Sequence, residues 1–243
     1  MAIGPPKPSL DELLHYGVKG MKWGVRKEQE TIGRFQASGP IVDPKLHENT
    51  KVVSKEVAAL IGERYNFRVR EIKSIGPGHP EYEAGTLGYV ELGGRSEHEG
   101  DIFVSQDDPQ PKLKGSEKVG WVAKGCGNTR AFLTHESAHA IFHAPQTYNK
   151  KGVVVGGNRE ARTKAMVAAI EAYHKSGGRE DEFLRKISGY AEHGGNREEV
   201  EAELFSQYHW GTDRPEFVKV WGETLHREMG IDGTPFRELV KNV

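Results

Sequence analysis

An α+β fold is predicted for this 243-residue sequence, and two observations predict it. Segments in which apolar and polar residues alternate fall between residues 67 and 123, whereas apolar residues at helical spacing dominate from residue 129 onward. The two kinds of segment do not interleave as they would in a parallel α/β protein, and no internal repeat is present. The expected order is a tail, one helix, a small antiparallel or mixed sheet, and a helical C-terminal half.

Residues 1–48 are rich in Pro and Gly and carry no sustained apolar period, so they read as a flexible tail ahead of a domain over 49–243. Within the tail lies an island of aromatic, Gly and basic residues, Leu14 to Lys27. Exposed Tyr16 and Trp23 carry a solubility cost, which makes 14–27 a candidate docking segment beside the plainer reading of a sticky tail. In the domain, Val53, Val57, Leu60, Ile61 and Tyr65 recur at helical spacing, so 52–65 is predicted as an amphipathic helix. Strands are predicted over 67–72, 86–92 and 101–105, with a short one over 119–123. The polar stretch 106–118, with Pro109, Pro111 and Gly115, reads as a loop. Helices are then predicted over 129–144 with Asn128 as cap, 159–174, 180–187, 197–208 with Asn196 as cap, and from Asp213-Arg214-Pro215-Glu216 to about Met229, followed by a short one after Thr234-Pro235.

Composition narrows the function. Basic residues number 34 against 35 acidic ones, a formal net charge of -1, which gives no electrostatic case for nucleic acid or an acidic membrane surface as partner. No apolar run approaches the roughly 18 residues that cross a bilayer, and no apolar stretch of signal-peptide length opens the sequence. The single cysteine, Cys126, excludes an internal disulfide and a Cys-rich zinc site.

The chemistry centres on His135-Glu136-Ser137-Ala138-His139. Two histidines four apart on a helix share a face, and both imidazoles can reach one ion. Glu136 projects near that face and can take the proton of an attacking water without binding the metal. A catalytic zinc needs a third protein ligand and an open position. Glu199 and Glu203, one turn apart on a later helix, supply a candidate ligand and a candidate acceptor for the free N–H of a ligating histidine. Read alone, Glu198, Glu199, Glu201 and Glu203 form a solvated acidic helix face.

Taken together, these motifs resemble the zincin metallopeptidases of the gluzincin type, and most nearly the catalytic domain of anthrax lethal factor and its bacterial and phage relatives. There His-Glu-x-x-His is followed by Glu-x-x-Ala-Glu-x-Phe, matched by Glu199, Ala202, Glu203 and Phe205, and preceded by Ser-x-Tyr-Ala, matched by Ser188-Gly189-Tyr190-Ala191. The family's usual Gly before the second His is Ala138. The resemblance covers roughly residues 50 to 230. It implies a zincin-like fold and a Zn2+ held by His135, His139 and Glu199. It also implies Glu136 as general base, Tyr190 facing the metal, and a protein or peptide as substrate. A sheet edge formed by 101–105 would align an extended substrate by β-addition.

The island His15-Tyr16-Gly17-Val18-Lys19-Gly20-Met21-Lys22-Trp23 resembles a segment found near the termini of phage structural proteins. It implies a phage or prophage source, a location in the virion or the bacterial host cytoplasm, and phage capsid proteins as partners of 14–27. Two other readings are a non-catalytic virion component on a zincin-like fold, and an amidase or other zinc hydrolase using the same site. His143 reads as a capping or packing residue, and His174, His193 and His209 as surface histidines. Cys126 would need a nearby base to act as a nucleophile.

Overall fold

In the computed structural model, the described residues are 40–90, 101–143, 147–148, 154–156, 158–194 and 196–240. The 14–27 island and the end of the strand predicted over 86–92 lie outside them. The chain is α+β, with a small mixed sheet followed by a helical half.

Strand β1, Ile41–Val42, opens the described fold. Asp43 follows it and accepts hydrogen bonds from the Ser74 backbone N–H at 3.3 Å and hydroxyl at 2.6 Å, while Leu46 is buried in the core. The packed region therefore begins ahead of the boundary at 49 that composition suggests. Helix α1, Glu48–Tyr65, buries Val53, Val57, Ile61 and Tyr65 along one face and ends at Asn66, whose φ of 48° suits a short polar side chain. Strand β2, Glu71–Ile75, starts later than the alternation over 67–72 indicates. A short helix α2, Pro80–Glu83, leads to β3, Gly88–Val90, and then to β4, Ile102–Ser105.

The sheet order is β1-β2-β4-β3, with β1–β2 and β2–β4 parallel and β3 antiparallel to β4. All four residues of β4 are buried and it is bonded on both sides. It is therefore not the free edge expected of 101–105. Among the described residues the edges are β1 and β3, and β3 is the one beside β4. Gly88 makes the placement feasible: a Cβ there would meet Phe132 at 2.6 Å and the Phe103 carbonyl oxygen at 2.5 Å. Without a side chain, β3 lies flush against the helix that carries Phe132.

The stretch 106–118 is not a loop throughout, because Gln110–Lys118 forms helix α3 with Pro111 in its first turn, where proline's missing N–H costs nothing. Residues 119–123 form turns and not a strand; Gly120 sits at φ 75°. Helix α4, Thr129–His143, follows, with the Asn128 side-chain oxygen accepting the Ala131 N–H at 3.0 Å. A two-stranded ribbon, β5 (Thr147–Tyr148) and β6 (Val154–Gly156), precedes helix α5, Arg159–Lys175. A 3-10 turn over Glu180–Glu182 leads to α6, Phe183–Ile187, and α7, Gly189–Gly194. Helix α8, Arg197–Trp210, is capped by Asn196, whose side-chain oxygen accepts the Glu199 N–H at 2.8 Å. Helix α9, Glu216–Glu228, starts after Pro215 with no side-chain cap from Asp213, and α10, Phe236–Val240, closes the described chain.

Helices α4 and α8 pack side by side at the centre, each buried around nearly its whole circumference. Phe142 turns away from the sheet and meets Phe205 and Trp221, with ring centroids 5.4 and 6.4 Å away. The central helix is thus shared between sheet and helical half.

Candidate metal centre

Cross-helix hydrogen bonds fix α4 against α8. The Ser206 hydroxyl donates to the Ala131 carbonyl at 2.9 Å, and the Trp210 indole N–H donates to the Thr134 hydroxyl at 2.8 Å. In that register His135, His139 and Glu199 meet. His135 Nε2 and His139 Nε2 are 3.2 Å apart and lie 3.3 and 3.4 Å from Glu199 Oε2. One ligand atom from each of the three residues falls within 4.8 Å of the others. Glu199 Oε2 is buried and has no hydrogen-bond partner of its own. Glu203 approaches from behind, its Oε1 3.0 Å from His135 Nδ1.

The carboxylates of the cluster favour positive charge on the imidazoles between them. Burial works against an imidazolium at His135, but Glu199 and Glu203 outweigh it and raise its pKa to about 10. Burial would likewise raise the Glu199 carboxyl, yet the two imidazoles hold it well below the usual carboxylate range. Glu136 is 6% exposed; desolvation raises its carboxyl, opposed by the two histidines and reinforced by Glu199 and Glu203. Three carboxylates thus surround two imidazoles in a buried space.

Tyr190 stands at the mouth. Its backbone N–H donates to the Trp121 carbonyl at 2.9 Å and that of Gly189 to the Gly120 carbonyl at 3.0 Å, seaming α7 to the 119–123 turn. The Tyr190 ring lies 5.9 Å from His135 and 6.0 Å from Trp121. Desolvation, with Glu199 and Glu136 close by, pushes its phenol well above the ordinary range and keeps it a proton-bearing donor.

The remaining expectations separate. His143 stays outside the ligand group, with its Nε2 3.4 Å from Glu198 Oε1; burial, then Arg162 and His139, lower its pKa to about 4. His174 and His193 are exposed, and His193 packs on Trp121 at 5.1 Å. His209 is no surface residue: it is fully buried and bonds to Tyr65 Oη at 2.9 Å. Cys126 is buried and its thiol is pushed far up by desolvation, which leaves no thiolate for nucleophilic attack.

Two supporting groups carry no motif. Trp121, in the turn read as a strand, walls the site beside Tyr190. Glu201 is fully buried between Arg197, 2.7 Å away, and Arg162 at 3.2 Å. The acidic run on α8 is therefore no solvated face, since Glu201 and Glu203 are both buried and point to different partners. The i, i+2 offset of Glu201 from Glu199 was the available signal, because it turns the side chain to the far side of the helix.

Comparison with known proteins matches residues 6–30 to the model of a family of unknown function (DUF7211). No curated protein and no solved structure matches. Among the described residues no helix is long and apolar enough to cross a membrane.

Proposed function

We propose that the chain is a zinc-dependent metallopeptidase with a zincin-like fold. The observation that carries this reading is the convergence of His135 Nε2, His139 Nε2 and Glu199 Oε2 within 4.8 Å. The donor chemistry fits the group: two imidazole nitrogens and one carboxylate oxygen form a catalytic zinc set that leaves a fourth position open. The buried Glu199 oxygen, unpartnered by any hydrogen bond, is the kind of atom a cation satisfies.

When bound, zinc supplies Lewis-acid polarisation of the scissile carbonyl and acidifies the attacking water. The chain's own residues do the rest. Glu203 accepts the Nδ1–H of His135 and so fixes the tautomer whose Nε2 lone pair faces inward. Glu136, its basicity raised by burial, accepts the water's proton on its carboxylate and returns it to the leaving amine. Tyr190 donates its phenolic proton in a hydrogen bond to the carbonyl oxygen as negative charge develops there. Strand β3, beside α4, offers the edge on which an extended substrate adds as a further strand.

The test is zinc content and casein cleavage, measured on the native chain and on Glu136→Gln. About one zinc per chain in both, with cleavage only by the native protein, is expected. Absence of zinc from the native protein, or full cleavage by Glu136→Gln, overturns the reading. For residues 14–27, enclosed by the family match at 6–30, the proposed role is attachment to phage capsid proteins. Co-sedimentation of native and tail-deleted protein with phage heads tests it.

A further inference from the structure

On the far side of the seam that holds Tyr190, the surface is hollowed into a depression of about 640 Å³. Helix α3 and the turn after it form one side, α6 and Ser188 the other, and Gln207 of α8 the floor. Five cations line it: Lys114, Lys118, Lys124, Arg185 and Lys186. None of them stands in an ion pair among the described residues. Lys164, by contrast, is matched with Glu160 and Glu228, Arg179 with Asp181, and Arg214 with Glu238.

Two acids share the depression. Glu117 is occupied, because its two oxygens accept the Gly125 and Gly127 backbone N–H groups at 2.9 and 2.8 Å. Asp213 is exposed at the rim. The local balance is positive, although the whole chain carries -1.

Gln207 identifies the kind of anion. It is 4% exposed, and its side-chain oxygen is buried with no hydrogen-bond partner. A buried carbonyl oxygen seeks a donor. A free phosphate group brings chiefly acceptors to such a site. A peptide brings backbone N–H donors and, if acidic, carboxylates for the surrounding cations. The half-buried Val122 and Pro215 add apolar surface on which a main chain can lie.

The depression also adjoins the metal centre. Gly120 and Ser188 line it; Trp121, next to Gly120, packs on Tyr190, and the Tyr190 ring lies 5.9 Å from His135. We propose that the depression docks an acidic segment of the polypeptide substrate, so that chains with Asp or Glu residues near the scissile bond are selected. The word substrate rests on the metallopeptidase reading; the binding of acidic peptide does not.

The test uses the full-length chain carrying Glu136→Gln, so that bound peptide stays whole. A fluorescent Glu-rich peptide, its Gln counterpart and a single-stranded oligonucleotide are titrated by anisotropy. The Glu peptide is expected to bind best. Its affinity should fall at least about tenfold in Lys118→Gln/Lys124→Gln/Arg185→Gln, whose exposed side chains leave the melting temperature unchanged. It should also fall steeply with salt. Equal binding of the Gln peptide, or tighter binding of the oligonucleotide, overturns the proposal. A second arm compares cleavage of two substrates differing only in the acidic run, with Glu136 restored. The kcat/KM preference for the acidic one should vanish in the triple variant while cleavage of the neutral one persists. Cleavage without preference sinks the docking site and spares the metallopeptidase; binding of the Glu peptide with no cleavage of any chain does the reverse.

Discussion

Glu199 and Glu203, one turn apart on α8, address the two nitrogens of the same imidazole. Glu199 stands with His139 on the Nε2 side of His135, at 3.3 Å, and Glu203 on the Nδ1 side, at 3.0 Å. Their removal should differ in degree. Glu203→Ala is expected to weaken zinc about 10–100-fold, as loss of an orienting partner does, and Glu199→Ala to weaken it more. Competition with a chromophoric chelator measures both. Tyr190→Phe should lower kcat by up to about 10²–10³ with zinc content and KM little changed, since the phenol acts on charge that exists only along the reaction path. Normal turnover with a lower melting temperature would make Tyr190 a packing residue instead. Helical spacing made the two histidines of α4 legible as a pair, whereas on α8 it left Glu199 and Glu203 within an acidic run, and only the resemblance singled them out. Trp121 was not legible. Its turn, Val119-Gly120-Trp121-Val122-Ala123, alternates like a strand, and only Gly120 at positive φ betrays the bend.

At the scale of elements, what needs explaining is how two helices rich in charge come to be buried. On α8, Arg197, Glu201 and, from α5, Arg162 form a closed group, and Arg197 also donates to the Thr163 hydroxyl at 2.9 Å. Such a group is costly to break from one side, because the partners stay buried with uncompensated charge. Glu201→Ala should therefore destabilise the fold by about 3–5 kcal/mol, read by urea denaturation. Simultaneous replacement of all three by apolar residues of similar volume should cost far less than that single change. The elements themselves were legible wherever a strong period coincided with a cap, as at Asn128-Thr129 and Asn196-Arg197. Helix α3 was missed for a physical reason. Pro109, Pro111 and Gly115 signal a loop, but two prolines at a helix start obstruct nothing, and Leu113 alone supplies its buried anchor. The same local reading made β4 an edge, because neighbours in the sheet are set by long-range pairing that alternation does not encode.

The whole molecule is held together on its far side by an uncharged chain of hydrogen bonds. The Phe236 N–H donates to His209 Nδ1 at 3.3 Å, and His209 Nε2 lies 2.9 Å from Tyr65 Oη. Tyr65 Oη lies 2.7 Å from His226 Nε2, and His226 Nδ1 lies 2.6 Å from the Gly222 carbonyl. Every link is satisfied only when both imidazoles are neutral. Desolvation, with Arg64 nearby, depresses both, His226 to about 4. In that window the unfolded chain binds the proton and the folded one does not. The stability this network contributes is thus expected to be full above about pH 6.5 and to decline as pH falls toward 4. Unfolding free energies at a series of pH values check this, and His226→Gln should flatten the slope. The all-round burial of α4 and α8 has a kinetic consequence as well. A helix covered on every side cannot shed its amide protons to solvent by fraying; it must wait for the domain to open. Hydrogen–deuterium exchange at Leu133 to Ile141 should therefore run on the slowest clock in the molecule. Saturating zinc should slow that clock further, in proportion to the metal's affinity for the folded state alone. Exchange in α4 faster than in α9 would mean that the two histidines sit on a helix that opens by itself.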